Sequence, residues 1–237
     1  MALPLLAQAA RDPLLVPGIY NTCDQWCMYC PATARCLAFR CSPEAEASDE
    51  DVCASLAEHL SDGLMLLKNL SNAEGIALPI DDALDAEEGA GVFDVHDPLE
   101  RMGVRYLQLA HAYLCTRTDL PADLEKRAGG PLPLEVLAWY HTLVPAKIYR
   151  ALVGTARAGH DDADGRHDSL VSAKVALIGL DRSLGALAAL AAESSDPRVS
   201  TLRAHARRLR RELEARFPAA RDIVRVGLDT SADLPQA

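Results

Sequence analysis

The stretch that most restricts the fold is SLVSAKVALIGLDRSLGALAALAAE, residues 169–193, which is apolar on nearly every side of a helix and breaks this pattern only at Lys174, Asp181 and Arg182 before Glu193. A helix without a polar face has to be surrounded by other elements. Asp181 and Arg182 interrupt its longest apolar run, so no membrane span is expected there. Aromatic residues make up 5% of the chain, and the abundance of Ala and Leu favours helices over sheet as the packing partners. With 237 residues, 49% of them hydrophobic, the chain can enclose one sizeable core.

Helical periodicity and start signals recur on both sides of this segment. Ser48 can cap a helix over residues 48–71 whose buried face runs Val52, Leu56, Leu60, Leu64 and Leu67. Asp97-Pro98, with Glu100 three residues after the aspartate, forms a capping box ahead of a helix to about Thr116. Leu134 to Gly154 keeps a helical period through Val136, Leu137, Tyr140, Leu143, Val144, Ile148 and Leu152, and Pro145 is expected to kink it. Asp196-Pro197 opens the last helix, to about Phe217, and DIVRVGL closes the chain as a strand or helical turn. The expected fold is all-α, an antiparallel bundle of about five helices on residues 48–237, preceded by an irregular cysteine-rich metal-binding segment on residues 1–47. Residues 72–96 and 154–168 read as loops.

That N-terminal segment holds the chemistry. Cys23, Cys27, Cys30 and Cys36 lie within fourteen residues as C-x3-C-x2-C-P-x4-C, with Cys41 as a further ligand candidate. If Cys23 to Cys30 is helical, three thiols share one face, and Pro31 turns the chain so that Cys36 returns as the fourth. Four soft ligands around one point suit a [4Fe–4S] cluster or zinc. Disulfides fit poorly with seven cysteines in a chain of this length, and the start MALPLLAQAARD lacks the basic region of an export signal. A cytoplasmic location follows as the expectation. Cys53 and Cys115 read as small hydrophobes on helix stripes.

The run Cys27-x2-Cys30-Pro31-x4-Cys36 resembles the clip around [4Fe–4S] clusters in some nucleases and DNA glycosylases. Cys23-x3-Cys27-x2-Cys30 is similar to the triad of radical S-adenosylmethionine enzymes, but no alternating βα pattern follows it. The phrases GIYNTCDQWCMYCPATARC and SAKVALIGLDRS together resemble a family of uncharacterised bacterial proteins with a cysteine-rich N-terminus and a helical body, which implies the same architecture and no particular activity. Iron–sulfur is the slightly favoured reading, in redox or sensing work. The alternatives are a zinc-stapled interaction module, and an enzyme whose helix-lined polar pocket holds Glu135, His141, Lys147, Lys174 and Asp181. Structural ion pairs are the plainer account of those five residues.

The net charge of −10 is unevenly spread: residues 44–100 carry sixteen acids against one base, Lys68. The final helix carries Arg203, Arg207, Arg208, Arg210, Arg211 and Arg216. A protein partner can meet either the acidic segment or the arginine row. Nucleic acid is not expected as a partner, because Glu212 and Glu214 dilute the row and the chain as a whole is acidic. No Glu is followed by His three residues on, which removes the paired di-iron motif of helical bundles. His160 to Gly165 matches the front of a calcium loop but lacks the closing glutamate, since position 12 is Val171, and reads as a solvated loop.

Overall fold

A computed structural model describes residues 12–41, 97–117, 129–157 and 163–229. The expected helix over residues 48–71, the acidic loop and Cys53 lie outside the described residues. By its contacts the chain divides into two units, Met1–Cys41 together with Val95–Ala237, and Ser42–Asp94; every described residue belongs to the first. The described cysteine-rich segment therefore belongs to the same unit as the described helices.

The fold is all-α. Among the described residues a short helix, α1 (Leu37–Cys41), ends the cysteine-rich segment, and four long helices follow: α2 (Pro98–Leu114), α3 (Pro133–Arg157), α4 (Ala163–Glu193) and α5 (Pro197–Arg216). Each long helix packs on the next in the chain, and α5 closes the circle on α2. Both Asp-Pro starts behave as the local chemistry dictates. Asp97 accepts a hydrogen bond from the Leu99 amide at 2.7 Å, and Asp196 accepts one from the Arg198 amide at 2.9 Å. At α3 the Leu132 amide donates to the buried Glu135 carboxylate at 2.7 Å, so Glu135 serves as a cap, with Pro133 at the first helical position.

Two boundaries differ from the sequence reading. The segment expected as a loop over residues 154–168 is helical at both ends, because α3 runs on to Arg157 and α4 begins at Ala163. Arg150 and Asp168 bridge the two helices at 2.7 Å across this link, which offsets the weak intrinsic propensity of the Gly and Asp residues there. Pro145 lies inside an unbroken α3, its missing donor tolerated within the packed helix.

The core is Leu-rich and tyrosine-pinned, with Tyr106, Tyr113, Tyr140, Leu137, Ile148, Leu177, Leu187, Leu202 and Leu209 all fully buried. Inside it the Tyr106 hydroxyl donates to Ser183 Oγ at 2.8 Å, and Ser183 Oγ donates to the Gly179 carbonyl at 2.8 Å, so the one polar chain in this region is satisfied. Gly179 is there for space. A Cβ at this position would come within 2.8 Å of both Tyr140 Cδ1 and Val144 Cγ2, which lets α3 and α4 approach more closely than side chains would allow. By length and composition α4 is apolar enough to cross a membrane, but half of its most apolar window is buried inside this bundle.

Candidate functional site

The cysteine segment does not form the helix that the i, i+4, i+7 spacing suggests. Cys27–Tyr29 and Thr33–Arg35 are single 3-10 turns, and Gln25 has a φ of 58°. That left-handed residue reverses the chain between Cys23 and Cys27 and costs on the order of 1 kcal/mol for a side chain of this kind. Packing against the bundle supplies the compensation.

Asp24, Gln25 and Trp26, the spacer between the first two cysteines, form the anchor. Trp26 is buried, stacked on Trp139 of α3 with ring centroids 5.3 Å apart and planes 9° apart, and set edge-on to Tyr140 and Tyr29. The Trp139 indole N–H donates to the Asp24 carbonyl at 3.0 Å. The Asp24 carboxylate accepts from the Tyr140 hydroxyl and from Arg182 Nη1 of α4, both at 2.5 Å, and Arg182 also donates to the Tyr140 oxygen. Burial, then the Asp24 charge, pushes the Tyr140 phenol far above its ordinary value, so it remains a donor.

Held in this way, the segment brings its four cysteines to one place. Cys23, Cys27, Cys30 and Cys36 all line a single hollow of 20 Å³, whose remaining wall is largely apolar: Ile19, Trp26, Ala32, Phe39 and Leu228. That volume admits about one water. Cys36 is buried in a small cluster with Val16, Ile19 and Ala32, and Cys30 packs against it. Two sulfurs accept backbone N–H groups in short local loops, Cys23 from Gln25 and Cys30 from Ala32, each at 3.4 Å. Burial, followed by the neighbouring amide's opposing pull and then the charges of Asp24, Cys27 and Cys36, leaves the Cys23 thiol above its usual range. Burial and the nearby Cys36 and Cys30 do the same for Cys27. Ionised together, the four would repel one another, a cost that a bound cation removes. Among the described residues no group of three or more His, Cys, Asp or Glu side chains is positioned to hold a metal ion. All four cysteines are free thiols. Cys41 ends α1, and its side chain lies outside the described residues. Beside the hollow, Arg35 keeps Nε and Nη2 buried with no hydrogen-bond partner.

The C-terminal tail closes the site. After a 3-10 turn at Pro218–Asp222 it runs extended and turns back at Gly227, whose φ of 80° favours glycine and where a Cβ would sit tightly, 3.1 Å from Val16 and Ile19 side-chain atoms. Lys174 of α4 ties this tail down through the Ile223 carbonyl and a 2.8 Å ion pair with Asp229, which Arg225 also grips at 2.7 Å.

The five polar residues considered as a pocket have separate partners. Glu135 caps α3. Lys174 holds the tail, and Asp181 pairs with Arg210 at 3.1 Å and Arg221 at 2.6 Å. His141 stacks on His111 of α2, 5.9 Å between centroids, and burial lowers its pKa. Lys147 alone turns toward the cysteines. Burial, then the charge of Arg150, holds its amine below the usual lysine range, against the opposing charges of Cys23, Asp168 and Asp24. Cys115, expected on a buried stripe, is exposed, its sulfur 3.3 Å from His111 Nε2, because it sits just past the last turn of α2. In the arginine row, Arg210 is already engaged by Asp181.

The contribution of Asp24, Trp26, Trp139, Tyr140 and Arg182 to the site escapes a reading by motif, and only the placement of two aromatic residues and a spacer tryptophan hints at it. Fold and site together define an all-α protein that carries a cysteine-lined hollow on one side of its bundle. No family model, no curated protein and no solved structure matches the chain.

Proposed function

We propose that the protein is an iron–sulfur protein, with Cys23, Cys27, Cys30 and Cys36 as the cluster ligands and a redox or sensing role. The observation that carries this reading is that four cysteines close in sequence line one small hollow with an apolar wall. As it stands the hollow admits one water, so an eight-atom cluster requires the thiols to move apart; what favours a cluster over zinc is the spacing Cys27-x2-Cys30-Pro31-x4-Cys36, which resembles the clip around [4Fe–4S] clusters. The amide donors on Cys23 and Cys30 are of the kind that set cluster potential, and the buried cation of Lys147 and the half-exposed one of Arg182 offset part of a ligated cluster's negative charge. When bound, a cluster of this type supplies one-electron exchange or a reactive sensing centre. This chain's residues hold it, partly shield it from water and couple it through the Cys23–Cys27 spacer to α3.

The test is an absorption spectrum with iron, sulfide and zinc analysis on protein purified without oxygen, beside Cys30→Ser. A brown protein with iron and sulfide, both lost in the variant, supports the reading. Stoichiometric zinc without visible colour replaces it with a zinc staple and moves the function to a protein partner. Absence of metal in both proteins refutes it.

A further inference from the structure

A second, larger cavity of about 450 Å³ lies beside the thiol hollow, within the range of roughly 300–1,000 Å³ usual for small-molecule sites. It is open on one side and walled by three separate parts of the fold: the cysteine segment (Tyr29, Cys30, Pro31), the entry to α3 (Pro131, Val136), and the pair Arg182 and Arg225.

We propose that this cleft binds a small aromatic anion, a flat apolar molecule carrying a carboxylate, sulfonate or phosphate. Two features of the wall support this. The first is charge. Asp24, the one acid on the wall, is neutralised by Arg182 at 2.5 Å and hydrogen-bonded by Tyr140. Behind the wall Lys174 pairs at 2.8 Å with the same Asp229 carboxylate that holds Arg225 at 2.7 Å, so this group next to the cleft carries one surplus positive charge. Arg182 bonds Asp24 and Tyr140 through Nη1 and leaves half of its side chain exposed at the cleft. Arg225 is fixed by Asp229 through Nε and Nη2, so its guanidinium is held in place before any ligand arrives. The second feature is shape. The Tyr29 ring, Pro31, Pro131 and Val136 are flat or rigid and partly exposed, and offer apolar surface to a planar body while the two guanidinium groups address its anionic end. Cys30 lines both this cleft and the thiol hollow, so the bound molecule would lie against the proposed cluster; that consequence rests on the metal reading, and the binding itself does not.

The test uses the full chain and two fluorescent probes, 8-anilinonaphthalene-1-sulfonate and its uncharged relative N-phenyl-1-naphthylamine, titrated at low salt. The sulfonate should saturate at one per chain and bind at least about tenfold more tightly than the uncharged probe. Arg225→Gln and Arg182→Gln should each weaken it about tenfold, the loss of one charge-assisted hydrogen bond, with little change for the uncharged probe. Equal affinity for the two probes on the unaltered protein overturns the proposal whatever the variants do, as does sulfonate affinity that both variants leave within about twofold. Iron and sulfide are measured on the same sample. Sulfonate binding by iron-free protein keeps this inference while the cluster reading falls, and a loaded cluster without sulfonate binding does the reverse.

Discussion

Replacing Trp26 with alanine tests the coupling between the cysteine segment and the bundle. Trp26 is 4% exposed and touches three aromatic rings, with Trp139 stacked at 5.3 Å and Tyr29 and Tyr140 edge-on at 5.1 and 5.7 Å. Truncating a buried tryptophan costs about 3–5 kcal/mol, and the aromatic pairs add about 0.5–1.5 kcal/mol beyond area. The site lies where a short segment meets the bundle and can partly collapse, so the lower end, about 3 kcal/mol, is expected. At an m-value of about 2 kcal/mol/M in urea, that lowers the unfolding midpoint by about 1.5 M if segment and helices unfold together. If the segment leaves first, the bundle keeps its midpoint and the loss appears under native conditions. The chain has two tryptophans, so the variant retains Trp139 as a sole reporter that has lost its stacking partner. Its emission should shift to the red, at once in the second case and along the urea curve in the first. A midpoint within about 0.3 M of the parent, together with unshifted Trp139 emission, would refute the docking described here.

Gly179→Ala should lower stability by about 1–2 kcal/mol in a thermal melt, because a Cβ 2.8 Å from Tyr140 and Val144 outweighs the roughly 1 kcal/mol gained in helix propensity. Gly185→Ala on the same helix meets nothing within 4 Å and should raise stability by up to about 1 kcal/mol. Asp229 is held below the usual carboxylate range, first by hydrogen bonding from Arg225 and then by Lys174. Its folded-state pKa is depressed, so its contribution is present above the unfolded value near 3.8 and fades as pH falls through the folded one. Urea curves for Asp229→Asn and the parent should therefore differ at pH 5, and the difference should begin to narrow only below the unfolded value near 3.8, with part of it still present at about pH 3. Ser183→Ala leaves the buried Tyr106 hydroxyl without its acceptor and should cost about 1–3 kcal/mol by chemical denaturation, whereas the double change with Tyr106→Phe should recover part of it.

The features legible in the sequence were those that short-range rules decide. The Asp-Pro starts of α2 and α5 need only their own first turn, and an all-round apolar α4 has to be enclosed by its neighbours. Gathering Cys23, Cys27, Cys30 and Cys36 was legible as spacing, but the backbone that does it was not. An i, i+4, i+7 helix satisfies the local pattern, and it loses to a left-handed Gln25 because Asp24 finds partners 115 to 158 residues away and Trp26 stacks on Trp139. Lys174 and Asp181 followed the same logic: their helix register was readable, whereas their partners Asp229, Arg210 and Arg221 belong to a tail and a helix whose docking no local rule specifies.

The separation between the spacer and its platform also orders events during synthesis. Asp24 leaves the ribosome 115 residues before Trp139 and 158 before Arg182. At about 5–20 residues per second the wait for Arg182 lasts roughly 8–30 s. Throughout that interval the four thiols are part of a nascent chain with no bundle to rest on, open to whatever delivers or oxidises them. Completion of α4 is the moment at which the segment can be stowed, and the stretch that covers it, with Gly227 and Leu228, is made later still.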